Sequence, residues 1–149
     1  MKICLVCSSG GHLYQLHMLK DWWQEHDRFW VTFRKADALS LLKNEKTHWA
    51  FFPTTRNIWN LLRNTILAFK ILRREKPDLI ISDGAGVAVP FFYIGRLLGV
   101  KLVFIEVYDR IESPTLTGKL VHPVSHLFIC QWEEQIKHFR KGRFWGQIL

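Results

Sequence analysis

Only three cysteines, Cys4, Cys7 and Cys130, occur in the 149 residues, and an odd count excludes a fully paired disulfide framework. Cys4-x-x-Cys7 has redox or metal spacing, but it lies inside the apolar run Ile3–Cys7. Strand residues three apart point to opposite faces and chelate poorly, so the thiols read as structural and reduced, which fits a cytosolic setting. No uninterrupted apolar stretch reaches the ~20 residues that span a bilayer. The start of the chain is not a signal peptide, because its short apolar run ends in Ser8-Ser9-Gly10-Gly11. Internal repeats, linkers and low-complexity tracts are also missing, as are a full dinucleotide fingerprint and a P-loop lysine motif. Acidic residues are scarce, 13 against 21 Lys and Arg, and the resulting charge of +8 favours anionic partners. With no helix-turn-helix, zinc or RNA-binding motif beside that charge, nucleic acid is not the expected partner.

What is present is a folded core, since 48% of residues are hydrophobic and the length suits one domain. Short apolar runs at 3–7, 29–33, 49–52, 79–82, 101–106 and 127–130 read as strands. Helical spacing occupies 12–24, 36–42, 57–75, 87–98, 116–121 and 133–139. This alternation predicts an α/β fold: a single Rossmann-like domain with a mostly parallel sheet covered on both faces. Ligands of such sheets bind beyond the carboxyl ends of the strands. Three loops of interest, 8–12, 83–86 and 106–117, all fall on that edge.

The first loop, Ser8-Ser9-Gly10-Gly11-His12, joins a strand end to a helix start, where free N–H groups and the helix dipole can seat a phosphate. Histidine there can donate to phosphate or take a proton; an ordinary tight turn is the alternative. Ser82-Asp83-Gly84-Ala85-Gly86 repeats the arrangement, so Ser9, Gly10, Gly11, His12, Gly84 and Gly86 are candidates to hold a diphosphate between two turns. Asp83 opposes direct phosphate contact unless it meets a sugar hydroxyl, or it simply caps its helix. Glu106 ends the fifth strand, where it is a candidate general base. Its alternatives are an ion pair to Arg110 or capping of the following loop. Thr115, Thr117, Gly118 and Lys119 suit an anion-binding corner, with a plain helix cap at Thr115 or Thr117 as the alternative, and Arg110 stands in the same candidate acceptor or partner loop.

The helix at 57–75 carries an aliphatic stripe, Ile58, Leu61, Leu62, Thr65, Ile66, Phe69 and Leu72, which either packs in the core or meets a membrane surface. Trp59, Leu67 and Ile71 widen it, and Arg63 and Lys70 flank it, so Trp59, Arg63, Leu67 and Lys70 are candidates to lie on an anionic membrane surface. The helix at 87–98 shares that choice between core and lipid at Phe91, Phe92 and Tyr93. The apolar end, with Trp145, Ile148 and Leu149, suggests a final edge strand or a docking segment for another chain.

Taken together, Gly10-Gly11-His12-Leu13, Ser82-Asp83-Gly84-x-Gly86, Glu106, Ser113-x-x-x-Thr117-Gly118-Lys119-Leu120 and Gln131-Trp132-Glu133-Glu134 resemble a known family. It is the membrane-anchoring subunit of the two-part N-acetylglucosaminyltransferase of dolichol-linked oligosaccharide synthesis. The likeness is greater to its bacterial capsule and exopolysaccharide counterparts, which lack the eukaryotic N-terminal membrane helix. The resemblance implies the N-terminal, acceptor-binding lobe of a GT-B glycosyltransferase, spanning 1–149 and inactive without a catalytic partner chain. The acceptor would be a polyprenyl-diphosphate-linked glycan. The nucleotide-sugar donor would sit on the partner, with no cofactor bound by this chain. His12 and Glu106 would contact phosphate or activate the acceptor. The setting would be the cytoplasmic face of the cell membrane, with peripheral or monotopic attachment. Ile105-Glu106-Val107-Tyr108-Asp109-Arg110 departs from the Glu-Ser pair typical of eukaryotic members. Two competing readings are a stand-alone Rossmann-like nucleotide- or flavin-binding protein and a basic nucleic-acid-binding module.

Overall fold

The computed structural model describes residues 1–148. Seven strands form one sheet: β1 (Lys2–Val6), β2 (Asp27–Phe33), β3 (Thr47–Ala50), β4 (Leu79–Ser82), β5 (Lys101–Ile105), β6 (Leu127–Cys130) and β7 (Gly142–Phe144). Their order is β3-β2-β1-β4-β5-β6-β7, and every neighbouring pair is parallel. The edge strand β7 lies before the apolar end where a final strand is one expectation: only Phe144 of that end belongs to it, and 145–148 form no strand. The helices are α1 (Gly11–His17), α2 (Lys20–Trp23), α3 (Ala36–Leu41), α4 (Ile58–Glu75), α5 (Ala88–Leu97) and α6 (Leu116–Val121).

Two elements differ from the sequence reading. The helix expected at 12–24 is divided in two at Met18 and Leu19, where the Trp23 indole N–H takes the Leu16 carbonyl at 3.1 Å. The segment Glu133–His138 is a 3-10 helix rather than an α-helix. There the Gln135 side chain accepts from the Gln131 amide and donates to the Val107 and Arg110 carbonyls, holding the turn tight.

Each sheet face buries its own core. One face packs Cys4, Val6, Phe29 and Val31 under Ala68, Ile71, Phe91 and Phe92, from α4 and α5. The other packs Ile3, Leu5 and Cys7 under Leu13, Leu16, Trp23 and Ala38, from α1 to α3. Cys4 and Cys7 thus belong to different cores, as strand alternation requires. Burial pushes both thiols well above their ordinary range, which keeps them protonated and inert.

The long helix α4 turns most of its aliphatic stripe outward and buries only Leu72 of it. Its buried face is Asn60, Asn64, Ala68, Ile71, Leu72 and Glu75, whereas Ile58, Leu61, Leu62, Ile66 and Phe69 are exposed. Buried polar residues are tolerated where each finds hydrogen-bond partners, and these do. Asn64 accepts from the Phe51 amide at 2.9 Å and donates to the Phe51 carbonyl at 3.0 Å. Asn60 donates to the Pro53 carbonyl at 2.8 Å. Glu75 gathers Lys2 (2.8 Å), Lys46 (2.7 Å) and His48 (2.9 Å) at the far end. Asn57 caps the start by accepting from the Asn60 amide.

Burial opposes the Glu75 charge, but Lys2, Lys46 and His48 outweigh it and hold the carboxyl at about 2. A carboxylate depressed in the folded state stabilises it above the unfolded value and loses that contribution as pH falls. Glu75→Gln should therefore cost about 1–2 kcal/mol at neutral pH, because Lys2 and Lys46 stay partly solvated. In denaturant titrations, the difference from the parent chain should shrink as pH falls from 4.5 towards 2.

Candidate functional site

The strand order turns back on itself between β1 and β4, so the loops after these two strands diverge and leave a crevice at the carboxyl edge. The crevice brings together two residues 71 positions apart. His12, in the first turn of α1, places its Nδ1 3.4 Å from the Oδ2 of Asp83, which follows β4. Asp83 is fully buried, and the His12 side chain keeps 28% of its surface exposed. Gln15, one turn on in α1, donates to the same Asp83 oxygen at 3.0 Å. Asp83 Oδ1 has no partner among the described residues, an orphaned acceptor in a buried position. Burial pushes the Asp83 carboxyl up to about 6 in spite of His12 and Gln15. Burial alone would lower the His12 imidazole, but the Asp83 carboxylate overcomes it and holds His12 above its ordinary value.

The glycines around this pair have unequal tasks. Gly84 has φ +133°, and a Cβ there would lie 2.8 Å from His12 Cε1, so its bareness makes room for the imidazole. A Cβ on Gly86 would lie 3.1 Å from the Thr54 side chain. The Gly84 amide is occupied by Ser82 Oγ and the Gly10 amide by Asp37 Oδ2. The second turn is thus not a copy of the first: its glycines are required by close packing. Half-buried Ser9 and the open flank of Gly11 remain beside the first turn of α1. There the amides of Gly11, His12 and Leu13 find no acceptor among the described residues.

Glu106 does not fit the expected role of general base. It is completely buried, and its carboxylate accepts from the Val107 amide (2.9 Å), the Thr115 amide (3.2 Å) and the Thr115 hydroxyl (2.9 Å). A Cβ on Gly118 would come within 2.5 Å of Glu106 Oε2. The residue closes the loop between β5 and α6, the capping alternative, and leaves no oxygen for a substrate proton. Arg110 does not pair with it; exposed Arg110 reaches Ser113 Oγ at 3.5 Å. Thr115, not Thr117, caps α6 by accepting from the Gly118 amide. Thr117 lines the cleft described next, and Lys119 is exposed.

A cleft of about 910 Å³ runs outward from Ser8 and His12 between the starts of α4 and α5 and the helix α6. Phe33, Phe52, Ile58, Leu61, Leu116 and Leu120 make it mostly apolar, and Lys35 and Arg56 are its cations. It opens onto the exposed side of α4, where Ile58 (68%), Trp59 (75%) and Ile66 (59%) stand in solvent. Lys70 is exposed there, and the exposed Arg63 guanidinium lies 3.8 Å from the centre of the Phe51 ring. Leu67 departs from the expected membrane-facing set, since it packs against the core. In α5, Phe91 and Phe92 are buried, and Tyr93 donates its hydroxyl to the Leu120 carbonyl. No helix of the described residues is long and apolar enough to cross a membrane.

A second, smaller hollow of about 220 Å³ lies between His12, Asp83, Val107, Tyr108 and Asp109. The C-terminal segment behaves unevenly. Trp145 is 69% exposed. Ile148 is not a free docking residue, because it packs on the core and its amide donates to Gln131 Oε1 at 3.1 Å. Leu149 lies outside the described residues. Sequence reasoning missed the pairing of His12 with Asp83 and the participation of Gln15, Lys35 and Phe52. The available signal was the strand order, which puts the residues after β1 and β4 side by side.

The family model described as "Oligosaccharide biosynthesis protein Alg14 like" matches residues 52–148. The human UDP-N-acetylglucosamine transferase subunit ALG14 is 30% identical over 104 residues, covering 66% of this chain and 47% of the human protein. The UDP-N-acetylglucosamine--N-acetylmuramyl-(pentapeptide) pyrophosphoryl-undecaprenol N-acetylglucosamine transferase of Staphylococcus haemolyticus is 21% identical over 131 residues. That match covers 79% of this chain and 36% of the bacterial protein, so the chain spans less than half the length of either relative. Among solved structures, MurG of Acinetobacter baumannii superposes with a TM-score of 0.76 at 18% identity. The superposition covers 89% of this chain and 42% of MurG, and the Rossmann-like fold is one shared by GT-B glycosyltransferases and epimerases.

The His12–Asp83 pair can be read directly by NMR. The imidazole of His12 should titrate above the ordinary histidine value in the parent chain. In Asp83→Asn the burial penalty is opposed only by the Asp109 charge, so the midpoint should fall. An unchanged midpoint would mean that the two residues do not interact.

Proposed function

The chain belongs to the Alg14 family, and from that premise we propose that it is the acceptor-binding, membrane-associating subunit of a two-chain glycosyltransferase. The acceptor is a polyprenyl-diphosphate-linked glycan, and the nucleotide-sugar donor is held by a catalytic partner lobe rather than by this chain. The whole domain, 1–149, serves this purpose. The observation that carries the reading is the His12–Asp83 pair at the root of an apolar cleft that opens onto the exposed apolar and basic side of α4. Such a surface can lie in the headgroup region of an anionic membrane, with its lysines and arginines at the lipid phosphates. A lipid-linked substrate would then reach His12 along the cleft without leaving the membrane surface.

In this proposal the acceptor diphosphate lies by Gly11, Lys35 and Arg56, and the acceptor hydroxyl meets His12. Asp83 holds Nδ1, which leaves Nε2 to receive the hydroxyl proton. The hydroxyl oxygen forms its bond to the anomeric carbon of the donor sugar as the bond to the nucleotide diphosphate breaks. A base that titrates near the working pH suits this transfer, and Asp83 stabilises the imidazolium that results. Asp83 Oδ1 is placed to accept from a second sugar hydroxyl. We assign the setting to the cytoplasmic membrane face and to capsular or exopolysaccharide synthesis, the latter drawn from the motif resemblance alone.

Co-expression with the catalytic partner and a lipid-linked acceptor tests the proposal. His12→Ala should cut transfer by about 10²- to 10⁴-fold while vesicle binding persists. The rate should rise with pH through the His12 midpoint; a rate that falls there would reassign His12 to phosphate contact. Trp59→Glu with Ile66→Glu should weaken binding to anionic vesicles by about tenfold or more. Sugar transfer that proceeds equally well without this chain would overturn the proposal.

A further inference from the structure

Buried amides join the C-terminal segment to His12 in one directed chain. The Ile148 amide donates to Gln131 Oε1 (3.1 Å), Gln131 Nε2 donates to Gln15 Oε1 (3.0 Å), and Gln15 Nε2 donates to Asp83 Oδ2 (3.0 Å). Gln131 Nε2 also donates to the Glu106 carbonyl at 2.9 Å. Gln15, Gln131 and Asp83 are all buried, so water does not substitute readily for a lost link. A primary amide offers an acceptor on one side and donors on the other. A backbone N–H can only donate, so Ile148 turns Gln131 Oε1 towards the tail. That turns the Gln131 nitrogen to Gln15, and Gln15 must then aim its own nitrogen at Asp83. Gln135 fixes the frame by accepting from the Gln131 and Trp132 amides.

We propose that the C-terminal segment is a positioning element for His12, acting from the Ile148 amide through Gln131 and Gln15 to hold Asp83 as an oriented acceptor. Losing the donor at 148 leaves the Glu106 carbonyl alone to orient Gln131, so the Gln131–Gln15 link loosens and Gln15 Nε2 no longer holds Asp83 firmly. Asp83 then turns away or takes up a proton, and His12 loses its anionic support. Exposed Trp145 lies three residues before Ile148, so a partner chain that grips the segment gains control of the site. This last step rests on the two-chain reading above; the wiring of Ile148 to His12 does not.

The groups that bear on the titration of His12 and Asp83 are few. Asp109 faces His12 from the loop after β5, and Lys35 and Arg56 line the same cleft from the loops after β2 and β3. Cys7, just after β1, lies near Asp83, with Asp37 at the start of α3 beyond it. Substitutions at 131 and 148 leave all of them in place.

The test is the His12 imidazole titration by NMR in the full chain, assigned by the resonance that vanishes in His12→Gln. Ile148→Pro removes the N–H, whereas Ile148→Ala keeps it and trims the packing. Ile148→Pro and Gln131→Met should each lower the His12 midpoint, and Ile148→Ala should leave it at the parent value. A midpoint unmoved by Ile148→Pro, or moved equally by Ile148→Ala, overturns the proposal. If Gln131→Met does not fold, the two variants at 148 decide the matter alone. The titration requires neither partner nor substrate, so its failure is separable from failure of the transferase reading.

Discussion

The architecture depends on the reversal of strand order between β1 and β4. Parallel strands must be joined by crossovers, and the crossovers after β1 and β4 leave in opposite directions along the sheet. There the ends of β1 and β4 face an opening. His12 and Asp83 come from these two ends, and their contact gives the imidazole a buried anionic partner while its other side faces the cleft. Moving either residue to another strand end would leave a buried carboxylate without a cation, which the fold tolerates poorly.

Two surfaces meet at this point. The small hollow beside Tyr108 sets the Asp83 and Asp109 carboxylates and the Gln15 amide into a largely apolar lining, groups that suit hydroxyls, and the larger cleft beside α4 and α6 suits hydrocarbon. Their junction at His12 is where the proposed acceptor, sugar at one end and lipid at the other, would lie. The exposed side of α4 extends the apolar side beyond the cleft. That extension exists because α4 uses Asn60, Asn64 and Glu75 to hold the sheet and so turns its aliphatic residues outward.

Much of the fold was legible in the sequence. Short β-branched runs alternating with helical spacing point to parallel strands, and the three loops at the carboxyl edge follow from that alternation. The α4 packing was not legible, because its buried polar residues depend on the backbone of residues 51–53, which no periodicity reveals. Glu106 misled for a similar reason. A carboxylate at a strand end looks available until Thr115, nine residues on, returns to take both oxygens. The glycines were read correctly as special but for an incomplete reason: Gly84 makes room for an imidazole whose position depends on the neighbouring strand. The amide chain through Gln131 and Gln15 links residues 116 positions apart and had no local signal at all.

The claim at the centre of this account is that the crevice receives a lipid diphosphate and not a nucleotide. The most direct measurement adds a short-chain polyprenyl-diphosphate glycan, and separately a nucleotide-sugar, to the isotope-labelled chain on anionic vesicles or nanodiscs. The account predicts saturable shifts at the Gly11 amide and the His12 imidazole with the lipid diphosphate alone. Shifts at those residues with the nucleotide-sugar, and none with the lipid diphosphate, would contradict it.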